Sequence, residues 1–151
     1  TEKLFSQVKG ANANGPYTWE NQFKQLSEAI EVFGRGKVST HIMIGLGETE
    51  NDAVSLIQRC VDMAVTPALF AFTPVRGTKL ETKPQPLIES YRRIQLARYL
   101  IVHGHARSED MRFNSDGCLT NYGVDEETLM WIVETGNPFL TSGCPKCSNQ
   151  R

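Results

Sequence analysis

The sequence is short of the features that mark membrane, nucleic-acid-binding or disulfide-rich proteins. Its apolar runs fall far below the roughly 20 residues a spanning helix needs, so no membrane partner is expected. Lys and Arg number 16 against 17 Asp and Glu. With no positive surplus to neutralise phosphates, nucleic acid is not expected as a partner either. There are four cysteines, Cys60, Cys118, Cys144 and Cys147, and only the last two are close together. That is far from the density of a secreted disulfide scaffold and points to a reducing, cytoplasmic setting. A Gly-x-Gly-x-x-Gly dinucleotide fingerprint is also missing.

What is present is an alternation of strand-like and helix-like segments. In a chain of 151 residues, 40% of them hydrophobic, one domain is the expectation. Tyr17 to Phe33 places Trp19, Phe23, Leu26, Ile30 and Phe33 at helical spacing, with Thr18 as N-cap and Gly34 and Gly36 at the end. A β-branched strand follows at 38–44, then the turn Gly45-Leu46-Gly47. Thr49 and Asp52 then open a second helix with a near capping box, its stripe being Ala53, Leu56, Ile57, Cys60, Val61 and Ala64. Further strands are predicted at 68–73, 110–113 and 138–142. Between them lie helices over Leu87 to Val102 and Asp125 to Glu134. Such alternation implies βα units and a parallel sheet. Strands without clean alternation suggest that both sheet faces are covered. Four units allow either a small open α/β domain or half of a (β/α)8 barrel.

Candidate sites lie at the strand exits, where parallel α/β proteins bind ligands. The run Ile44-Gly45-Leu46-Gly47-Glu48-Thr49 joins a strand to a helix. Its glycines would let the backbone approach a ligand, and the helix offers free N–H groups. The plain alternative is a tight turn. Phe72 to Thr78 leaves the next strand, and Arg76 is either a carboxylate partner or a solvated turn residue. Arg112, in a short strand, must face solvent or find a partner inside. Cys144 and Cys147 form a Cys-x-x-Cys pair in the polar tail 143–151 and could supply two thiolates to zinc or to an iron–sulfur cluster. His41 lies in a strand. His103 and His105 sit at a helix end, where a cation is favoured. Helix-start charge accounts for Glu50 and Asp52.

The segments Val38 to Glu48, Phe72 to Leu80 and Ser90 to Leu100 resemble the second half of biotin synthase and its relatives in the radical S-adenosylmethionine superfamily. That family carries a Gly-x-Ile-x-Gly-x-x-Glu motif on its fifth barrel strand. Here His41, Met43, Gly45 and Glu48 stand at those positions; Gly45 and Glu48 keep the pattern, whereas His41 and Met43 depart from it. The strand Leu69 to Thr73 resembles the sixth strand, Met111 to Asn114 the seventh and Phe139 to Gly143 the eighth. The tail Gly143 to Cys147 is closer to biotin-synthase-related, lipoyl-synthase-like members.

The resemblance implies that residues 1–151 are a single partial domain, the C-terminal half of a (β/α)8 barrel. Met43, Gly45, Gly47, Glu48, Phe72 and Arg112 are its expected cofactor contacts, Arg112 standing where the seventh strand of biotin synthase offers an arginine to an auxiliary iron–sulfur cluster. The family's Cys-x3-Cys-x2-Cys loop is absent, so the catalytic [4Fe–4S] cluster would be held outside this chain. The chain also starts at Thr1 rather than Met, and an N-terminal half of the same protein is the expected partner, alongside a small-molecule or carrier-protein-bound substrate. The implied activity is formation of a 5′-deoxyadenosyl radical for hydrogen abstraction and sulfur insertion, with this part alone inactive. The rival readings are a small α/β nucleotide- or zinc-binding module and a truncated aldolase-like barrel.

Overall fold

The computed structural model describes residues 1–141, so the Cys144–Cys147 pair lies outside the described residues. The chain opens with α1 (Glu2–Val8); Thr1 caps it by accepting from the Leu4 N–H. Helix α2 (Trp19–Phe33) follows, capped by the Thr18 side chain and closed at Gly34. Next come β1 (Val38–Ile44), α3 (Glu50–Asp62) and β2 (Val65–Ala71). Thr49 and Asp52 form the full reciprocal capping box at the start of α3. Helix α4 (Ile88–Val102) is followed by β3 (Arg112–Phe113), β4 (Leu119–Asn121) and α5 (Glu126–Glu134).

Strands β1 and β2 pair in parallel from Val38 opposite Val65 to Ile44 opposite Ala71. The βα order therefore gives a parallel sheet, but of two strands among the described residues. Opposite residues share a face, so β1 and β2 divide by parity. Val38, Ile42, Ile44, Val65 and Leu69 enter one core cluster with Phe23 and Leu26 of α2, Val54 and Ile57 of α3, and Leu100 of α4. The opposite face carries Ser39, His41, Met43 and Phe70, all exposed. The expectation that both faces are covered is thus corrected in part: among the described residues the core helices pack on the Val38–Ile42–Ile44 face and β1 alternates accordingly, whereas β2 does not, Ala68 being buried on the other face.

The other strand boundaries also differ from expectation. β2 begins at Val65, not 68, and runs through Pro67. Proline lacks an N–H, which a strand tolerates at an edge, and Arg98 Nε satisfies the Pro67 carbonyl at 2.6 Å. Residues 110–113 are not a unit of the parallel sheet. Asp110 ends a 3-10 turn, and β3 folds back on β4 as an antiparallel hairpin. The reversal comes from Asn114, whose Oδ1 accepts from the Asp116 and Cys118 N–H groups. Residues 137–139 form a 3-10 turn rather than the strand predicted at 138–142. Pro138, whose fixed φ suits the first turn of a helix, sits inside it.

The buried stripe of α3 is rotated from the predicted one. It runs Glu50, Ala53, Val54, Ile57, Gln58 and Cys60, while Leu56 and Val61 are half-buried. Ala64 leaves the helix at φ +61° to turn the chain into β2. In α4 Leu96 and Leu100 join Ile94, Ala97 and Ile101 in the core, whereas Leu87 only precedes the helix and stands exposed. No helix among the described residues is long and apolar enough to cross a membrane.

Candidate functional site

The β1 exit is a tight, self-satisfied turn. Ile44 ends the strand on the buried side, and Gly45 follows at φ +105°. A side chain at Gly45 would strike Pro86, with an added Cβ 2.7 Å from its Cδ, so the residue is glycine for packing reasons. Gly47, at φ +121°, has only ordinary contacts to Leu4 and Lys83 around such a Cβ. The Glu48 carboxylate folds back over this turn. It accepts from the Gly45 N–H at 2.5 Å and the Leu46 N–H at 3.0 Å. Glu48 therefore shapes the loop, and its acceptor oxygens are engaged within it.

The start of α3 is similarly committed. The Asp52 N–H donates to the Thr49 hydroxyl, the Thr49 N–H to the Asp52 carboxylate, and the Asn51 N–H to the Gly117 carbonyl. These bonds occupy N–H groups that the sequence offers to a ligand. They also dock the β3–β4 hairpin against α3, where a side chain at Gly117 would collide with Thr49.

A buried polar network completes that docking. Glu50 is 4% exposed. Both of its oxygens accept from Arg93, the shortest contact being 2.6 Å, and one also accepts from the Leu119 N–H at 2.7 Å. Burial alone would raise this carboxyl, but bonds from Arg93, Leu119 and Ser90 outweigh it and hold it below its usual value. The same pairing raises Arg93. Glu50 thus joins α3, α4 and the hairpin. Charge at a helix start is an incomplete account of it, and extending the buried spacing 53, 54, 57, 58 back by one turn would have placed it inside.

The remaining sequence candidates distribute unevenly. Met43 projects from the uncovered sheet face beside Phe70, its register partner. His41, one step earlier on that face, packs its ring against Phe70 at 4.7 Å between centroids. Phe72 is buried, and its N–H donates to the Ile44 carbonyl at 2.7 Å, which holds it next to the β1 exit. Arg76 is exposed on a turn whose Gly77 N–H is held by Glu81. Arg112 is exposed on the hairpin; it belongs to the antiparallel pair, and its carbonyl accepts from the Thr120 hydroxyl. His103 and His105 gather around Tyr99. Burial, then His105 and Arg98, lowers His103, which opposes the cation expected there. Burial pushes the Cys60 thiol up to about 11, so it is an inert core residue. No group of three or more metal-ligating side chains occurs among the described residues.

Two concavities adjoin β1. A groove of about 640 Å³ follows its unpaired edge and is walled by α1, α2 and α3, with Leu4, Trp19 and Leu56 among its apolar side chains. A smaller hollow of about 220 Å³ lies at the strand exit between Gly45 to Glu48 and Lys83 to Leu87. The arrangement offers an apolar shelf, Met43 and Phe70, above an imidazole and beside a rigid glycine turn. No family model, curated protein or solved structure matches the chain.

Proposed function

We propose that this chain is the C-terminal half of a barrel of the radical S-adenosylmethionine type, biotin-synthase-related, and that its uncovered sheet face is part of the lumen wall. The observation that carries the reading is the disposition of β1: helices pack on one side of it, a bare face carries Met43, and the Gly45 to Glu48 turn closes its C-terminal end. A doubly wound domain would place helices on both faces, whereas a barrel wall turns one face to the barrel interior and its strand exits to the site. The unpaired edge of β1 and its adjacent groove suit the missing N-terminal half.

In this reading Met43 and Phe70 give S-adenosyl-L-methionine an apolar surface, and both are nearly half exposed on that face. Gly45 and Gly47 fix the path of the loop beside it, and Glu48 holds that path by bonding Gly45 and Leu46. Phe72 anchors the neighbouring strand exit through Ile44. Arg112 presents a cation from the hairpin that Glu50 and Arg93 hold in place. The cofactor and a [4Fe–4S] cluster held outside this chain would supply a 5′-deoxyadenosyl radical for hydrogen abstraction, with sulfur insertion to follow. An auxiliary iron–sulfur cluster or zinc would rest on Cys144 and Cys147, and the substrate would be a small molecule or carrier-bound group in a cytoplasmic setting.

The test is anaerobic iron and sulfide analysis of the full-length protein, with release of 5′-deoxyadenosine from S-adenosylmethionine as the activity. A cluster, turnover, and a further loss of iron when Cys144 and Cys147 become Ala are expected. An upstream sequence lacking a three-cysteine loop would sink the assignment.

A further inference from the structure

Helix α5 is an amphipathic helix whose large apolar side chains point the wrong way for its own core. Among its residues only Ile132 is fully buried, while Met130 is 54% and Trp131 61% exposed. Leu140, just beyond the helix, is 62% exposed. The spacing of Glu127, Met130, Trp131 and Glu134 places all four on one stripe, and all four face solvent. This is an apolar centre with a carboxylate at each end.

The charge carried by its own segment is of one sign. Residues 113–141 contain Asp116, Asp125, Glu126, Glu127 and Glu134 and no Lys, Arg or His. On α4, Arg93 is held by the buried Glu50 carboxylate, while Arg92 lies over the Phe139 ring with its donors on Gln95 and the Phe139 carbonyl. We propose that the α5 face is a docking surface for a cationic amphipathic helix of a partner protein. Trp and Met are favoured anchors at the centre of interfaces. Glu127 and Glu134 are seven positions apart, roughly 10 Å along the axis, so the partner's cations should stand about two turns apart around an apolar residue. The same charge argues against other occupants. A second copy would set acids against acids, and anionic lipid or nucleic acid would be repelled. The inference is independent of the radical chemistry proposed above.

The probe is a short synthetic helix with a Leu face flanked by Lys, beside a counterpart flanked by Glu. Each is titrated into the full natural protein and followed by backbone amide NMR. The Lys helix should shift amides within 126–140. The double variant Glu127→Lys/Glu134→Lys should weaken it about tenfold at unchanged thermal midpoint, and added salt should weaken it further. Equal binding of both helices, no binding, or shifts confined to other elements would overturn the proposal. So would a dimer that Trp131→Ala dissolves, or hydrogen-exchange protection of Trp131 by another part of the same chain.

Discussion

The two faces of the β1–β2 sheet are made from alternate residues of the same strands, yet they are held to different standards. On one, Val38, Ile42, Ile44, Val65 and Leu69 are enclosed by three helices. On the other, Ser39, His41, Met43 and Phe70 stand open around a buried Ala68, with one ring contact between His41 and Phe70. The enclosed face determines stability, and its side chains have no freedom to meet a ligand. The open face leaves the side chains of Ser39, His41, Met43 and Phe70 accessible outside the core. Parity along a strand separates the two tasks at the cost of a single residue step.

If that division holds, substitutions should sort by face, and the largest effects belong to the enclosed side. Leu100→Ala should cost about 3 to 4 kcal/mol in urea unfolding, because the side chain is fully buried and leaves a cavity. A loss below about 1 kcal/mol would mean the core has been misplaced. Arg93→Ala should cost about 3 kcal/mol, since it strands the Glu50 carboxylate in the interior. It should also release the hairpin, seen as faster hydrogen exchange at the Leu119 N–H.

The pH response sharpens the same contrast. Glu50 has a folded value below its ordinary 4.5, so its contribution is present above that value and is lost as pH falls through the depressed one. Acid titration of the native chain should therefore show a loss of stability below about pH 4.5, reduced or reversed in Arg93→Ala, where burial without its partner raises the Glu50 carboxyl. An acid limb identical in both would break the assignment. Gly117→Ala should cost about 2 kcal/mol through its positive φ and the collision with Thr49, and the Asn51 N–H should lose protection. The smallest effect is expected on the open face. Met43→Ala and His41→Ala should change stability by no more than about 0.5 kcal/mol while reducing S-adenosylmethionine binding by the full protein. A large stability loss at either position would erase the distinction between the faces.

Local signals in the sequence located the elements well. Thr18 and the Thr49–Asp52 box mark helix starts because their side chains satisfy orphan amides within three residues. The Gly45-Leu46-Gly47 turn is visible for the same local reason. The hairpin at 112–121 was missed because a two-residue strand carries no periodicity. The misread 138–142 segment contains Pro138, which fits a helical turn as readily as a strand edge. Met43, Gly45, Gly47 and Glu48 form one contiguous run at the β1 exit, and their closeness is legible in the sequence. The closeness of Phe72 to Ile44, the His41–Phe70 pair and the Glu50–Arg93–Leu119 network were not, since each joins residues far apart in the chain.

The sequence by itself determined where α2, α3 and α5 begin, the parallel sense of the β1–β2 pair and the glycine turn at the strand exit, because caps, βα order and backbone freedom act over a few residues. Only the tertiary structure decided which face of the sheet stays bare, that the amides at the start of α3 are already engaged, and that Glu50 is an interior residue. Those outcomes depend on which distant surfaces meet and exclude water, and no short stretch of sequence carries that information.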